Sequence, residues 1–146
     1  ISIKRIMSRH KFGIQFSIAA RLWRRHLDQR LAQAGIKDIS WAPLLHLDEF
    51  GDGISQKELA ASVGMEGSTL VRLLDTLEQK GQIERQADTH DRRAKRIFLT
   101  AAGREHVVSL RAELLAIETD MLADVSDEQI EVMRQVLGGL ITKFKH

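Results

Sequence analysis

The hydrophobic period of this chain changes at Gly81, and that change limits the fold more than any other feature. Before it, Leu70, Leu73, Leu74 and Leu77 recur at steps of three and four, the spacing of one helix face. After it, Ile83 stands among the polar residues Gln82, Glu84 and Arg85, and Gln86 is predicted to leave the strand. The polar stretch Ala87-Asp88-Thr89-His90-Asp91-Arg92 follows, and then Lys95-Arg96-Ile97-Phe98-Leu99 reads as a second strand. Two short strands around a polar, basic tip predict a β-hairpin. Helical periodicity returns with Val107, Leu110, Leu114, Ile117, Met121 and Leu122. The expected class is therefore mainly α with a small β-hairpin.

Local start and stop signals place the helices. Phe12, Phe16, Ala19, Ala20, Trp23, Leu27, Leu31 and Ala34 form an amphipathic first helix that Gly35 ends. Ser40 is the expected cap of a second helix, Trp41 to about Glu49, with Pro43 in its first turn, where a missing N–H costs little. Ser55-Gln56-Lys57-Glu58 fits a capping box, with Ile54 and Leu59 in the staple positions. This short third helix runs to about Val63, Gly64 breaks it, and a fourth begins near Gly67 or Ser68. Thr100 caps a long fifth helix. Ser126-Asp127-Glu128-Gln129 is a second capping box, before a sixth helix striped by Ile130, Met133, Leu137, Leu140, Ile141 and Phe144.

Composition removes several classes of function. The 146 residues suit one domain, or a small domain with an arm, and 43% hydrophobic content is ordinary for a globular chain. With no Cys there is no disulfide scaffold, thiol switch, zinc finger or Cys nucleophile. No apolar run approaches the ~20 residues that span a bilayer, and no leader segment is recognised at the start. Together these features point to a bacterial or archaeal cytoplasm, with no membrane partner. No phosphate-binding, nucleophile-elbow, dinucleotide or H-E-x-x-H motif occurs, so no enzyme, cofactor or metal is expected. Of His10, His26, His46, His90, His106 and His146, none forms an i, i+4 pair.

The net charge of +2 conceals a strong asymmetry. Residues 1–30 hold eight basic residues against Asp28 alone, and residues 105–131 hold eight acidic residues against Arg111 alone. A third cluster, Arg92, Arg93, Lys95 and Arg96, lies on the predicted hairpin. Such segregation means nucleic-acid contact, contact between the oppositely charged segments, or solvated helix faces.

The order of elements favours the first. A short helix, a Gly-containing turn, a second helix and a hairpin over residues 54–99 make a winged helix-turn-helix, in which the first helix braces the second across the major groove. With its leucines inward, the fourth helix turns Ser68, Thr69, Arg72, Thr76 and Gln79 outward. Hydroxyls and N–H groups at its start suit phosphate, and Arg72 one turn in suits guanine O6 and N7. An arginine pair at a hairpin tip stabilises a small domain poorly but suits the negative potential of a narrow minor groove. Asp91 fits there if it braces an arginine by a fork-like ion pair.

The runs Leu59-Ala60, Gly64, Thr69 to Arg85 and Asp91-Arg92-Arg93-Ala94-Lys95-Arg96-Ile97-Phe98-Leu99-Thr100 resemble the MarR family of bacterial transcription regulators, in its SlyA-like branch. The resemblance extends over nearly the whole chain, and the D-R-R-x(5)-L-T wing is its most specific part. It implies a homodimer on a pseudo-palindromic operator of double-stranded DNA. It also implies that Arg72 reads the major groove, that Arg93 enters the minor groove, and that Asp91 orients Arg93, with Arg92 beside it. Gly67 stands where Pro or another small residue is common in the family.

The terminal stripes then acquire a use. A chain of this length cannot bury them all internally, and pairing two chains would cover the surplus. Residues 1–35 and 101–146 are expected to form a helical dimerisation region around a reader at 36–100. Phe12, Phe16, Leu137, Leu140, Ile141 and Phe144 are the expected dimer core. The family resemblance further implies a small effector, an aromatic acid or phenol, with Arg21, Trp41, Leu45 and His46 as candidate pocket residues. The competing reading is a small-molecule or metal-binding helical dimer, or a small enzyme, without DNA binding.

Overall fold

The computed structural model describes residues 1–37 and 39–145; His146 lies outside them. Among the described residues, six helices and three strands follow one another as α1 (Ile3–Gln33), α2 (Trp41–Phe50), β1 (Ile54–Ser55), α3 (Gln56–Val63), α4 (Gly67–Gln79), β2 (Ile83–Ala87), β3 (Lys95–Leu99), α5 (Ala101–Met121) and α6 (Asp127–Phe144). The chain divides into two compact units, the first Ile1–Leu114 and the second beginning at Leu115. Among the described residues, no helix is long and apolar enough to cross a membrane.

In the first unit the predicted periodicities close one core. Leu44 and Leu47 of α2, Leu59 of α3, Leu70, Leu74 and Leu77 of α4, Ile83, Ile97 and Leu99 of the sheet, and Val107 of α5 are all buried together. Leu73, expected in the same stripe, is half-buried. Each fully buried Leu is worth ~2 kcal/mol relative to exposure, so this region is held chiefly by its leucines.

Three local expectations are corrected. The hairpin is part of a three-stranded antiparallel sheet in the order β1-β3-β2. Ile54 pairs with Ile97 and Ser55 with Arg96, so the residue expected only as a hydrophobic staple also forms a strand. Gln86 does not leave β2: the ladder continues through Gln86↔Arg96 and Ala87↔Lys95, because cross-strand backbone bonds do not need an apolar side chain. Ser40 precedes α2 in an αR conformation and makes no side-chain cap. Its conformation, rather than its residue type, prevents capping, since a cap needs extended backbone.

The other caps form as expected. The Ser55 hydroxyl accepts from the Glu58 N–H at 3.1 Å and donates to the Glu58 carboxylate, so this box is half-closed. Gly64 ends α3 at φ 75°, a left-handed conformation that a Cβ would strain. Thr100 accepts from the Gly103 N–H and donates to the Gly81 carbonyl at 2.6 Å. Gly103 is needed for a reason its helical position hides. A Cβ there would lie 2.0 Å from the Gln82 carbonyl oxygen.

The second unit contains α6 and the complete capping box of Ser126 and Gln129, with both reciprocal bonds present. No residue of α6 is buried. Leu137 and Leu140 are partly covered, whereas Ile141 and Phe144 are 54% and 71% exposed.

Candidate nucleic-acid interface

The outer face of α4 follows from burial of its inner one. Ser68, Arg72 and Gln79 are exposed, and Thr69 and Thr76 are half-exposed, as the leucine spacing requires. The Thr76 hydroxyl donates back to the Arg72 carbonyl at 3.2 Å, which leaves its lone pairs outward. Glu66 occupies the N-cap of α4 without a side-chain cap bond. The first N–H groups of the helix thus keep their positive potential for another acceptor.

The wing is anchored by an acid that sequence reading did not single out. Asp88 accepts from the His90 N–H at 2.8 Å and from Arg96 Nε at 2.9 Å. The His90 N–H, with Arg96 adding to it, holds the Asp88 carboxyl below the usual carboxylate range. Arg96 also donates to the Gly53 carbonyl at 2.6 Å, which ties the wing to the turn before β1. Asp52 performs the same service at the far end of β3. Its carboxylate accepts from the Leu99 N–H at 2.9 Å and from Arg104 of α5 at 2.6 Å. Asp52 joins residues distant in sequence, Asp88 joins two residues of its own hairpin, and no motif spacing marks either acid.

Asp91 is bonded to the backbone of Arg93 and not to its guanidinium. Its carboxylate accepts from the Arg93 backbone N–H at 3.0 Å. This is an Asx turn, which fixes the loop backbone. The expected fork-like ion pair to a guanidinium is absent among the described residues, so the guanidinium stays available.

The arginines of the winged region therefore fall into two groups. Arg85 and Arg96 are tied to carboxylates. Arg72, Arg92 and Arg93 are exposed and have no ion pair among the described residues. An unpaired guanidinium keeps its five donors for a ligand with planar acceptors or phosphate oxygens.

The residues considered for an effector are placed differently. Trp41 is only 5% exposed, and its indole N–H donates to Asp28 at 3.1 Å. Arg24 lies over the ring at 4.6 Å from its centre and donates to the same Asp28. Arg21 is exposed on α1 and its Nε donates to the Ser17 carbonyl at 3.4 Å. Leu45 and His46 are half-buried on α2. His46 shares a hydrogen bond with the Ser62 hydroxyl at 2.9 Å. Burial, aided by the Arg24 charge, lowers its pKa from 6.5. Trp41 and His46 are thus engaged within α1–α3, whereas the Arg21 side chain bonds along its own helix. Among the described residues, no group of three or more His, Asp or Glu residues is placed to hold a metal ion.

Phe12 and Phe16, two of the expected dimer residues, stack at 6.0 Å on α1 while remaining 53% and 45% exposed. Of the 31 residues of α1, only Leu27 and Leu31 are buried.

Comparison with known proteins places these features in company. The model of the MarR family matches residues 40–95. The transcriptional regulator PA3341 is 37% identical, with 92% of this chain and 98% of that chain covered and a TM-score of 0.75. MepR of S. aureus in its DNA-binding conformation is 27% identical over 92% of this chain and 98% of its own, with a TM-score of 0.69. CouR from Rhodococcus jostii RHA1, bound to p-coumaroyl-CoA, is 25% identical over 88% of this chain and 90% of its own, with a TM-score of 0.71.

Proposed function

The chain belongs to the MarR family of transcriptional regulators, and on that premise we propose that it is a sequence-specific double-stranded-DNA-binding regulator acting as a homodimer on a pseudo-palindromic operator. It works by binding rather than catalysis, in the cytoplasm, with no cofactor. The observation that carries this reading is the division of the arginines. Arg85 and Arg96 are neutralised by carboxylates, while Arg72, Arg92 and Arg93 stand free on the outer face of α4 and on the wing.

Each residue then has a role. Ser68 and Thr69 bind backbone phosphates beside the start of α4, where the helix dipole favours anions, and the Thr76 hydroxyl meets the backbone two turns further along the same face. Arg72 pairs with a guanine edge in the major groove. Arg93 enters the minor groove, Arg92 meets the flanking phosphates, and Asp91 holds the loop that carries both. Residues 36–100 act as the reader, and residues 1–35 and 101–146 as the dimerisation region. Phe12 and Phe16 on α1, and Leu137, Leu140, Ile141 and Phe144 on α6, supply the apolar surface that a second copy covers.

A small aromatic acid or phenol is the proposed effector, with Arg21, Trp41, Leu45 and His46 toward its site. CouR supports this class, because its structure holds an aromatic acyl group as a coenzyme A thioester. Binding would release DNA through its preference for one spacing of the readers.

Selection of bound duplexes from a random pool tests the reading. The expected result is an enriched sequence with approximate dyad symmetry and half-sites about 34 Å apart, one helical turn. Failure to enrich any sequence would overturn it. For the effector, a panel of aromatic acids and their coenzyme A thioesters should include one that raises Tm and releases the selected duplex. A panel without such a member removes that part.

A further inference from the structure

The proposed reading helix has an awkward charge. Between Gly67 and Gln79 it carries Arg72 alone against Asp75 and Glu78, a count of one positive and two negative groups. Asp75 follows Arg72 by three residues, so the two side chains are neighbours on the helix surface. Both acids are about half exposed. Beside a polyanion, a carboxylate in that position repels what Arg72 attracts.

Arg85 of β2 resolves the conflict. Its Nη2 donates to Asp75 at 2.5 Å and its Nε donates to Glu78 at 2.9 Å, so one guanidinium serves both acids. Its own side chain is only 20% exposed, so the cation is set among the acids rather than projected to solvent. With Arg85 counted, the four groups sum to zero instead of to one negative charge, and both carboxylates have a bonded cation beside them, while Arg72 has no ion pair of its own among the described residues.

We infer that Arg85 is a positioning and masking residue for DNA recognition, concealing the Asp75 and Glu78 carboxylates from the phosphate backbone so that Arg72 can approach the groove. It touches no DNA itself. The inference rests on the proposed regulator function, and it adds a determinant that lies outside the contacting face.

The test uses the full-length protein and the duplex that it selects. The wild-type protein must bind that duplex; absence of binding defeats the regulator reading, independently of Arg85. Given binding, Arg85→Met should weaken it about tenfold at low salt, with the gap closing as salt screens the exposed carboxylates. Adding Asp75→Asn and Glu78→Gln to Arg85→Met should return affinity to within about twofold of wild type, since no charge then needs masking. A merely structural brace behaves otherwise: the triple variant would stay as weak as Arg85→Met, and that result overturns the inference. Unchanged binding by Arg85→Met overturns it too. Should Arg85→Met fail to fold, the Asp75→Asn/Glu78→Gln variant with Arg85 intact decides. Masking predicts binding at least as tight as wild type, and a tenfold loss refutes masking.

Discussion

The winged region and α6 use their apolar residues in opposite ways. Residues 54–99 bury most of their leucines and isoleucines in one core with α2 and α5. The sixth helix is equally well specified, with a complete capping box and a regular apolar stripe, yet none of its residues is buried. The same helical periodicity therefore makes a finished interior in one region and an unfinished surface in the other. Local sequence can specify a helix face, while its burial depends on what arrives to cover it. For α6 the proposed cover is a second copy of the chain.

The comparison can be broken first in the finished region. Gly103→Ala puts a methyl group against the Gln82 carbonyl, where backbone must move. It should cost about 3 kcal/mol of unfolding free energy, read by denaturant titration. In the unfinished region an equally drastic change should spare the fold. Leu140→Asp is expected to abolish dimerisation in sedimentation while the monomer keeps its helical circular dichroism. Loss of helix instead would mean that the residue belongs to an internal core.

Function supplies the next test. Arg72→Ala should cost about 2 kcal/mol at the base it reads and relax preference there, measured by competition between duplexes. Arg96→Ala should differ in kind, lowering Tm through the lost tie to Asp88 and Gly53. At the capping box of α6, Ser126→Ala should cost about 1 kcal/mol. The smallest effect concerns pH. His46 titrates lower in the folded chain than at its ordinary 6.5, so the unfolded chain binds more protons in that window. Stability should decline as pH falls through it and level off once the folded His46 is also protonated. His46→Gln should flatten that part of a Tm–pH curve.

These tests also separate what the sequence makes legible from what it does not. Caps at Ser55, Thr100 and Ser126 depend on residues three apart, and all three form. The leucine stripe of α4 depends on steps of three and four, and it gives the outward face of Arg72 directly. The two-residue strand β1 has no period to detect and exists only because β3 offers it a partner. Arg85 with Glu78 and Asp75, and Asp52 with Arg104, join residues that only the folded chain brings together. Only the family resemblance pairs Asp91 with Arg93, and that Asp91 bonds the backbone N–H and not the guanidinium is a matter of loop geometry. Trp41 shows how little local sequence says of side-chain partners, because its indole bond to Asp28 and the Arg24 guanidinium over its ring follow from how α1 and α2 pack and from no motif spacing.

The central claim is that the unpaired arginines of α4 and the wing meet DNA. Its most direct test is the salt dependence of binding to the selected duplex, for the wild-type protein and for Arg93→Ala, at matched dimer content. The account predicts a linear fall of log affinity with log salt, and weaker binding with a slope smaller by about 1 for the variant. Affinity that ignores salt, or an Arg93→Ala line that lies on the wild-type one, would contradict it.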